Sequence, residues 1–265
     1  MSRAAARLLR NVVADCAVGK RLLIPLRWLF CAAVLVAAGA LAPTLAAPPA
    51  GGWQAVLVAG DKAQPVFDNG IAAVANRLAA IGVPAANIHR LAADAGPGSA
   101  GLEPATASRL LQRIASLRPG PGDRCLVYIT SHGERGRGVF LAAAGEHLRP
   151  AELAQALSSG CGRAPTVVIV SSCYSGLFTA PPVSAPNRIV LTAARADRPS
   201  FGCQADRTYT VYDECLIGAL PQAATWRNVA DATVACVSRR EKERDVLPSQ
   251  PQTSFGAAVQ NLSVR

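Results

Sequence analysis

The chain alternates continuous apolar runs with stretches whose apolar residues recur every three or four positions. Trp53-Gln54-Ala55-Val56-Leu57-Val58-Ala59 is a run of the first kind, closed by Gly60. Residues 125–130, 166–170 and 188–192 are others, and 88–91 is a shorter one. A strand apolar at nearly every position is buried on both faces, as in a parallel sheet covered by helices. Between these runs the spacing turns helical. Ile71, Val74 and Leu78 share a face within 67–81, which Gly82-Val83-Pro84 stops. Residues 105–117 and 151–157 also predict helices, and Trp226, Val229, Thr233 and Val237 line one side of a late helix that ends before Pro248-Ser249-Gln250-Pro251. Gly138-Val139-Phe140-Leu141 predicts a short strand-like extension. Strands alternating with amphipathic helices predict an α/β fold with a mostly parallel central sheet between two helical layers.

Residues 1–47 depart from this alternation. A basic stretch precedes the apolar segment from Trp28 to Leu41, and small residues follow through Ala47. That order predicts an export signal cut after Ala46 or Ala47. Left uncut, it would be a single N-terminal membrane anchor with its basic end in the cytoplasm. Phe30 is too bulky before Cys31 for a lipoprotein signal. Residues 48–52 read as a Pro/Gly linker and 53–265 as one domain.

The net charge of +10 changes meaning once divided: six basic side chains and one acidic one lie in 1–47, half of the excess. The rest is dispersed. The run Arg239-Arg240-Glu241-Lys242-Glu243-Arg244-Asp245 alternates in sign, which marks a solvated helix end rather than a nucleic-acid stripe. Nucleic acid is therefore not an expected partner. With 51% hydrophobic and 17% charged residues, the 265-residue chain is too apolar to be disordered. Only one stretch approaches the roughly 20 apolar residues of a membrane span, which excludes a multi-span protein.

Of eight cysteines, Cys16 and Cys31 fall in the leader, leaving Cys125, Cys161, Cys173, Cys203, Cys215 and Cys236. No pair has the C-x-x-C spacing of a zinc ribbon or thioredoxin-type site. An exported domain permits disulfides, and one free catalytic thiol would leave at least one other cysteine unpaired.

Sites in open α/β sheets form beyond the carboxyl ends of strands. One strand runs into Ser131-His132-Gly133-Glu134-Arg135-Gly136 and another into Ser171-Ser172-Cys173-Tyr174-Ser175-Gly176. A thiol with an ordinary pKa of about 8.5 needs a neighbouring imidazole or similar group to act as a nucleophile at neutral pH. The imidazole then carries the proton to the leaving group. The amides of Gly133 and Cys173 are the expected oxyanion hole. His89 and His147 lack such a setting and read as structural or surface residues. This chemistry requires no metal and no organic cofactor.

Ser131-His132-Gly133 together with Ser172-Cys173-Tyr174-Ser175-Gly176 resembles the legumain family of cysteine endopeptidases, in the caspase-like clan. That family includes the catalytic subunit of the GPI-anchor transamidase. The resemblance continues through Thr192-Ala193-Ala194-Arg195-Ala196-Asp197-Arg198-Pro199-Ser200-Phe201-Gly202-Cys203, at Trp53 to Gly60 and at Tyr209 to Asp213, most of residues 53–220. It implies a caspase-like three-layer sandwich, Cys173 as nucleophile, His132 as general base and acid, and a peptide or protein substrate. Exported bacterial members are the nearest picture, which implies the periplasm or the periplasmic face of the inner membrane.

The chain also departs from the family pattern. Eukaryotic members have an acid where Ser171 stands and an Asp where Ser131 stands. Their histidine-supporting Asn falls on Val66, with Asn69 nearby but off register. Their pocket for the residue before the scissile bond maps onto Asp68 in place of an Arg, Ser171 in place of an acid, and Asp213 and Ser200 kept. Two carboxylates without a cation imply a preference for Lys or Arg at that position. Taken alone, Asp68 just ahead of a helix reads as an N-cap. The expected activity is peptide cleavage through a Cys-His dyad and a thioester. The alternatives are transamidation, in which an amine resolves the thioester, and an inactive caspase-like binding or scaffold module of the cell envelope.

Overall fold

Among the described residues every long apolar run is a strand, and the helical spacings are helices. In chain order the elements are β1 (Trp53–Ala59), α1 (Val66–Ala80), β2 (Ile88–Ala92), β3 (Leu102–Pro104), α2 (Ala107–Ala115) and β4 (Arg124–Thr130). Three short strands follow, β5 (Gly133–Glu134), β6 (Gly138–Leu141) and β7 (Glu146–Leu148). Then come α3 (Pro150–Gly160), β8 (Thr166–Ser171), β9 (Arg188–Thr192), α4 (Val211–Ala219), α5 (Trp226–Glu243) and β10 (Gln252–Phe255). This is a computed structural model that describes residues 52–96, 99 and 101–265. The export signal or anchor and nearly all of the linker lie outside the described residues. Among the described residues no helix is long and apolar enough to cross a membrane.

The central sheet has seven strands in the order β10-β9-β8-β4-β1-β2-β3, all parallel except β10, which runs antiparallel to β9. Side chains alternate across it. Trp53, Ala55, Leu57 and Ala59 join Phe67, Ile71, Leu78, Leu216 and Trp226 in the core under α1, α4 and α5. Val56 and Val58 join Leu110, Ile114, Leu153 and Leu157 under α2 and α3. The result is the expected three-layer α/β/α sandwich around a mostly parallel sheet. Cys125–Cys161 ties β4 to the end of α3, and Cys215–Cys236 ties α4 to α5. Cys173 and Cys203 are the free thiols of the described residues.

Four features differ from the sequence reading. Residues 138–141 do not extend the main sheet; as β6 they are the middle of a separate antiparallel sheet, β5-β6-β7. β10 is polar, Gln-Thr-Ser-Phe, because an edge strand is half solvated and lacks the continuous apolar run used to find the others. The charged run at the end of α5 is not wholly solvated. Glu241 is 3% exposed and its carboxylate accepts the Ser249 N–H at 3.1 Å through each oxygen, which holds the chain entering β10. Asp68 does not cap α1: Pro65 holds the N-cap position, and Asp68 lies in the first turn, where a carboxylate still favours the positive helix end.

Candidate active site

The parallel pairing of β4 with β8 sets Thr130 beside Ser171, and the Ser131 N–H donates to the Ser171 carbonyl at 3.1 Å. The two segments leaving these strand ends, 131–133 and 172–173, therefore meet. Gly133 shows how closely. A Cβ built there would lie 2.0 Å from the Cys173 carbonyl oxygen, so no other residue fits without parting the two segments. Gly176 is required for a similar reason, its missing Cβ facing the Ala196 amide nitrogen at 2.5 Å.

Cys173 follows a strand end and precedes a sharp turn. Tyr174 sits in the left-handed region at φ 58°, ψ 16°, a conformation that costs a non-glycine residue about 1–2 kcal/mol. Its N–H donates to the Arg198 carbonyl at 2.8 Å, and the Arg135 guanidinium lies 5.4 Å from its ring centroid. These contacts hold the turn. Ser200 surrounds the sulfur: its N–H donates to Cys173 Sγ at 3.2 Å and its hydroxyl oxygen lies at 3.6 Å. The thiol in turn donates to the Ser200 carbonyl at 3.5 Å. A backbone donor thus already faces the atom expected to carry negative charge.

His132 packs edge-on against Phe67, ring centroids 5.1 Å apart and planes at 80°. Its carbonyl accepts the Phe140 N–H at 2.9 Å, and the preceding Ser131 hydroxyl donates to the Phe140 carbonyl at 2.6 Å. Asn69 does not serve the histidine in this arrangement, since its amide donates to the Thr208 carbonyl at 3.0 Å. The sequence reading missed Phe67. The signal was its place directly after Val66, where the family's supporting residue falls, but ring stacking leaves no polar mark in a sequence.

The pocket residues separate into two groups. Asp213 is fully buried at the start of α4, where its Oδ2 accepts the Thr130 hydroxyl at 2.7 Å and its N–H donates to the Thr210 hydroxyl at 3.0 Å. Ser171 reaches the same nest, 3.5 Å from the Thr210 hydroxyl. Burial pushes the Asp213 carboxyl up, outweighing the hydrogen bonds that oppose it, Thr130 first among them. Gly70 makes the room. A Cβ there would lie 2.8 Å from the Tyr128 hydroxyl and 3.5 Å from Asp213 Oδ2. Asp68 has a different neighbour: burial and then the charge of Asp94, just past β2, push its carboxyl up to about 6. Ser200 thus contacts the Cys173 sulfur, Ser171 and Asp213 share the Thr210 hydroxyl beneath the strand end, and Asp68 lies within the field of Asp94.

His147 lies against Glu134, Nε2 to Oε2 at 2.8 Å, and His89 lies in β2 opposite Val56. Among the described residues no group of three or more His, Cys, Asp or Glu side chains is placed to hold a metal ion. Residues 107–235, which include both His132 and Cys173, match the model of the peptidase C13 family. No curated protein matches the chain.

Proposed function

The chain belongs to the peptidase C13 family and is a legumain-like cysteine peptidase, and from that premise we propose that Cys173 and His132 are its catalytic dyad. His132 takes the proton from Cys173 Sγ. The thiolate attacks the scissile carbonyl, and the N–H groups of Gly133 and Cys173 receive the charge on the tetrahedral oxygen. His132 returns the proton to the departing amine, leaving a thioester that water resolves with His132 as base. The observation that carries this reading is the meeting of two strand ends at Gly133 and Cys173, which only the β4–β8 pairing produces.

The same reading gives the residue before the scissile bond a positive charge. Asp213 Oδ1 has no partner among the described residues, and Ser171 beside it brings no charge. Asp68 adds a half-buried carboxylate whose pKa burial and then the charge of Asp94 raise, a setting that a cation would relieve. A Lys or Arg side chain supplies one. Two disulfides in one domain favour an oxidising compartment and so support export to the periplasm or its membrane face.

The test is hydrolysis of a peptide library varied at the residue before the scissile bond, with wild type beside Cys173→Ala and His132→Ala. Both variants should lose at least about a thousandfold in kcat/KM. Cleavage after Asn or after apolar residues in preference to Lys and Arg would overturn the charge assignment. Full activity in either variant would overturn the dyad.

A further inference from the structure

Four of the six cysteines from Cys125 onward are taken up by the two disulfides, and the thiols left are Cys173 and Cys203, both half-buried. One segment brings them together. Ser200 encloses the Cys173 sulfur, with its N–H at 3.2 Å and its carbonyl oxygen at 3.5 Å, and Cys203 follows three residues later. Three residues reach at most about 11 Å when fully extended. The chain is not extended here, because Gly202 turns it at φ 95° and residues 199–204 form neither helix nor strand. Phe201 and Cys203 both pack back against the core under α1, α4 and α5. Cys203 also lies within the field of Cys173: burial and then the charge of Cys173 push the Cys203 thiol up. The peptidase chemistry occupies Cys173 and gives Cys203 no task.

We propose that Cys173 and Cys203 form a reversible oxidation site, closing to a disulfide that silences the peptidase when a hydroperoxide reaches it. The proposal rests on the reading of Cys173 as nucleophile. The Cys173 thiolate attacks the peroxide, so that an S–O bond forms, the O–O bond breaks, and the alkoxide or hydroxide released takes up a proton and departs as an alcohol or water. Cys173 is now a sulfenic acid, oxidised by two electrons, and the peroxide is reduced by two. Cys203 gives its proton to solvent and attacks the sulfenic sulfur. The S–S bond forms, the S–O bond breaks, and the hydroxide released takes up a proton as water. The order follows from the chemistry of sulfur: a thiol has no electrophilic sulfur for Cys203 to attack until Cys173 has become a sulfenic acid. A dithiol reverses the bond by exchange. Closure at this step also keeps Cys173 from the irreversible sulfinic and sulfonic states.

The test treats the purified full chain, first with a mild thiol and then with stoichiometric hydrogen peroxide. Peptides are mapped by mass spectrometry after alkylation, and activity is followed before and after dithiothreitol. Each protein is normalised to its own reduced activity, with wild type beside Cys203→Ser. Wild type should show a 173–203 linked peptide and a loss of at least about tenfold that dithiothreitol restores. Cys203→Ser should lose activity without recovery and carry Cys173 as sulfinic acid. The absence of a 173–203 peptide, a link from Cys203 to Cys215 or Cys236 instead, or equal recovery in Cys203→Ser would overturn the proposal. The linked peptide is read without activity. A folded wild type that links these residues yet never cleaves a peptide would therefore refute the dyad and the silencing, while leaving the cysteine pairing established.

Discussion

At the scale of single residues, the site depends on atoms that are missing as much as on those present. Gly133→Ala would thrust a methyl group into the Cys173 carbonyl. It should cut kcat/KM by at least about a hundredfold while lowering the melting temperature far less, because the clash displaces the strand ends and not the core. Steady-state kinetics beside thermal unfolding checks this, and a fully active variant would refute the close approach. Asp68 supplies a pH prediction. Its carboxyl is raised to about 6 in the fold from an ordinary value of 3.8, so the folded state holds the proton more tightly than the unfolded one. Stability should therefore fall as pH rises from about 4 to about 6 and stay lower above that. Asp68→Asn should recover about 1–2 kcal/mol at pH 7.5, with solvent screening counted, and almost nothing at pH 4. Urea unfolding at the two pH values measures it. If Asp68 receives a cationic side chain, the same substitution should weaken cleavage after Arg and Lys. Lowering pH through about 6 should do likewise in the wild type.

At the scale of elements, two close approaches decide how the layers fit. α3 ends on Gly160, whose added Cβ would lie 1.8 Å from the Ile114 carbonyl of α2. Gly160→Ala should separate these helices and destabilise the fold by about 2 kcal/mol or more, in the range of overpacked cores. Denaturant unfolding with an unchanged m-value would identify it as a stability effect rather than a change of fold. On the opposite face Cys215–Cys236 joins α4 to α5 across 21 residues of sequence. Replacing both by Ser should cost about 3 kcal/mol through the freed unfolded chain, and calorimetry would measure it. Much at this scale was legible in sequence. The buried strands announce themselves because both their faces are covered. The polar edge strand β10, the three-residue β3 and the Glu241 anchor do not, since each is defined by a neighbour distant in sequence: β9, β2 and Ser249.

At the scale of the whole molecule, parallel order brings the chemistry to one end of the sheet. β4 and β8 are neighbours in space but 36 positions apart from Thr130 to Thr166, and their carboxyl ends lead into His132 and Cys173. Export, which we propose for this chain, makes a prediction of its own. The protein should reach its stable form where disulfides form, and a chain confined to a reducing cytoplasm should unfold at lower temperature. Free-thiol counting with thermal unfolding of the two preparations tests this. Two free thiols with full stability in the exported form fit it, whereas six free thiols would refute the disulfide framework.

The order of apolar runs and amphipathic stretches was sufficient by itself for the three-layer architecture, because burial of both sheet faces writes itself into every strand. The two glycine-rich strand ends were sufficient to nominate His132 and Cys173 as the proposed base and nucleophile, because those roles need chemical types that few positions offer. Only the tertiary structure decided what surrounds them. It set Phe67 against the histidine, Ser200 around the sulfur, Cys203 close by as a second thiol, and Asp68 with Asp94 rather than at a helix cap. These are contacts between segments far apart in the chain, made by packing and strand register. No local pattern encodes them, since the same residues in another register would meet different neighbours.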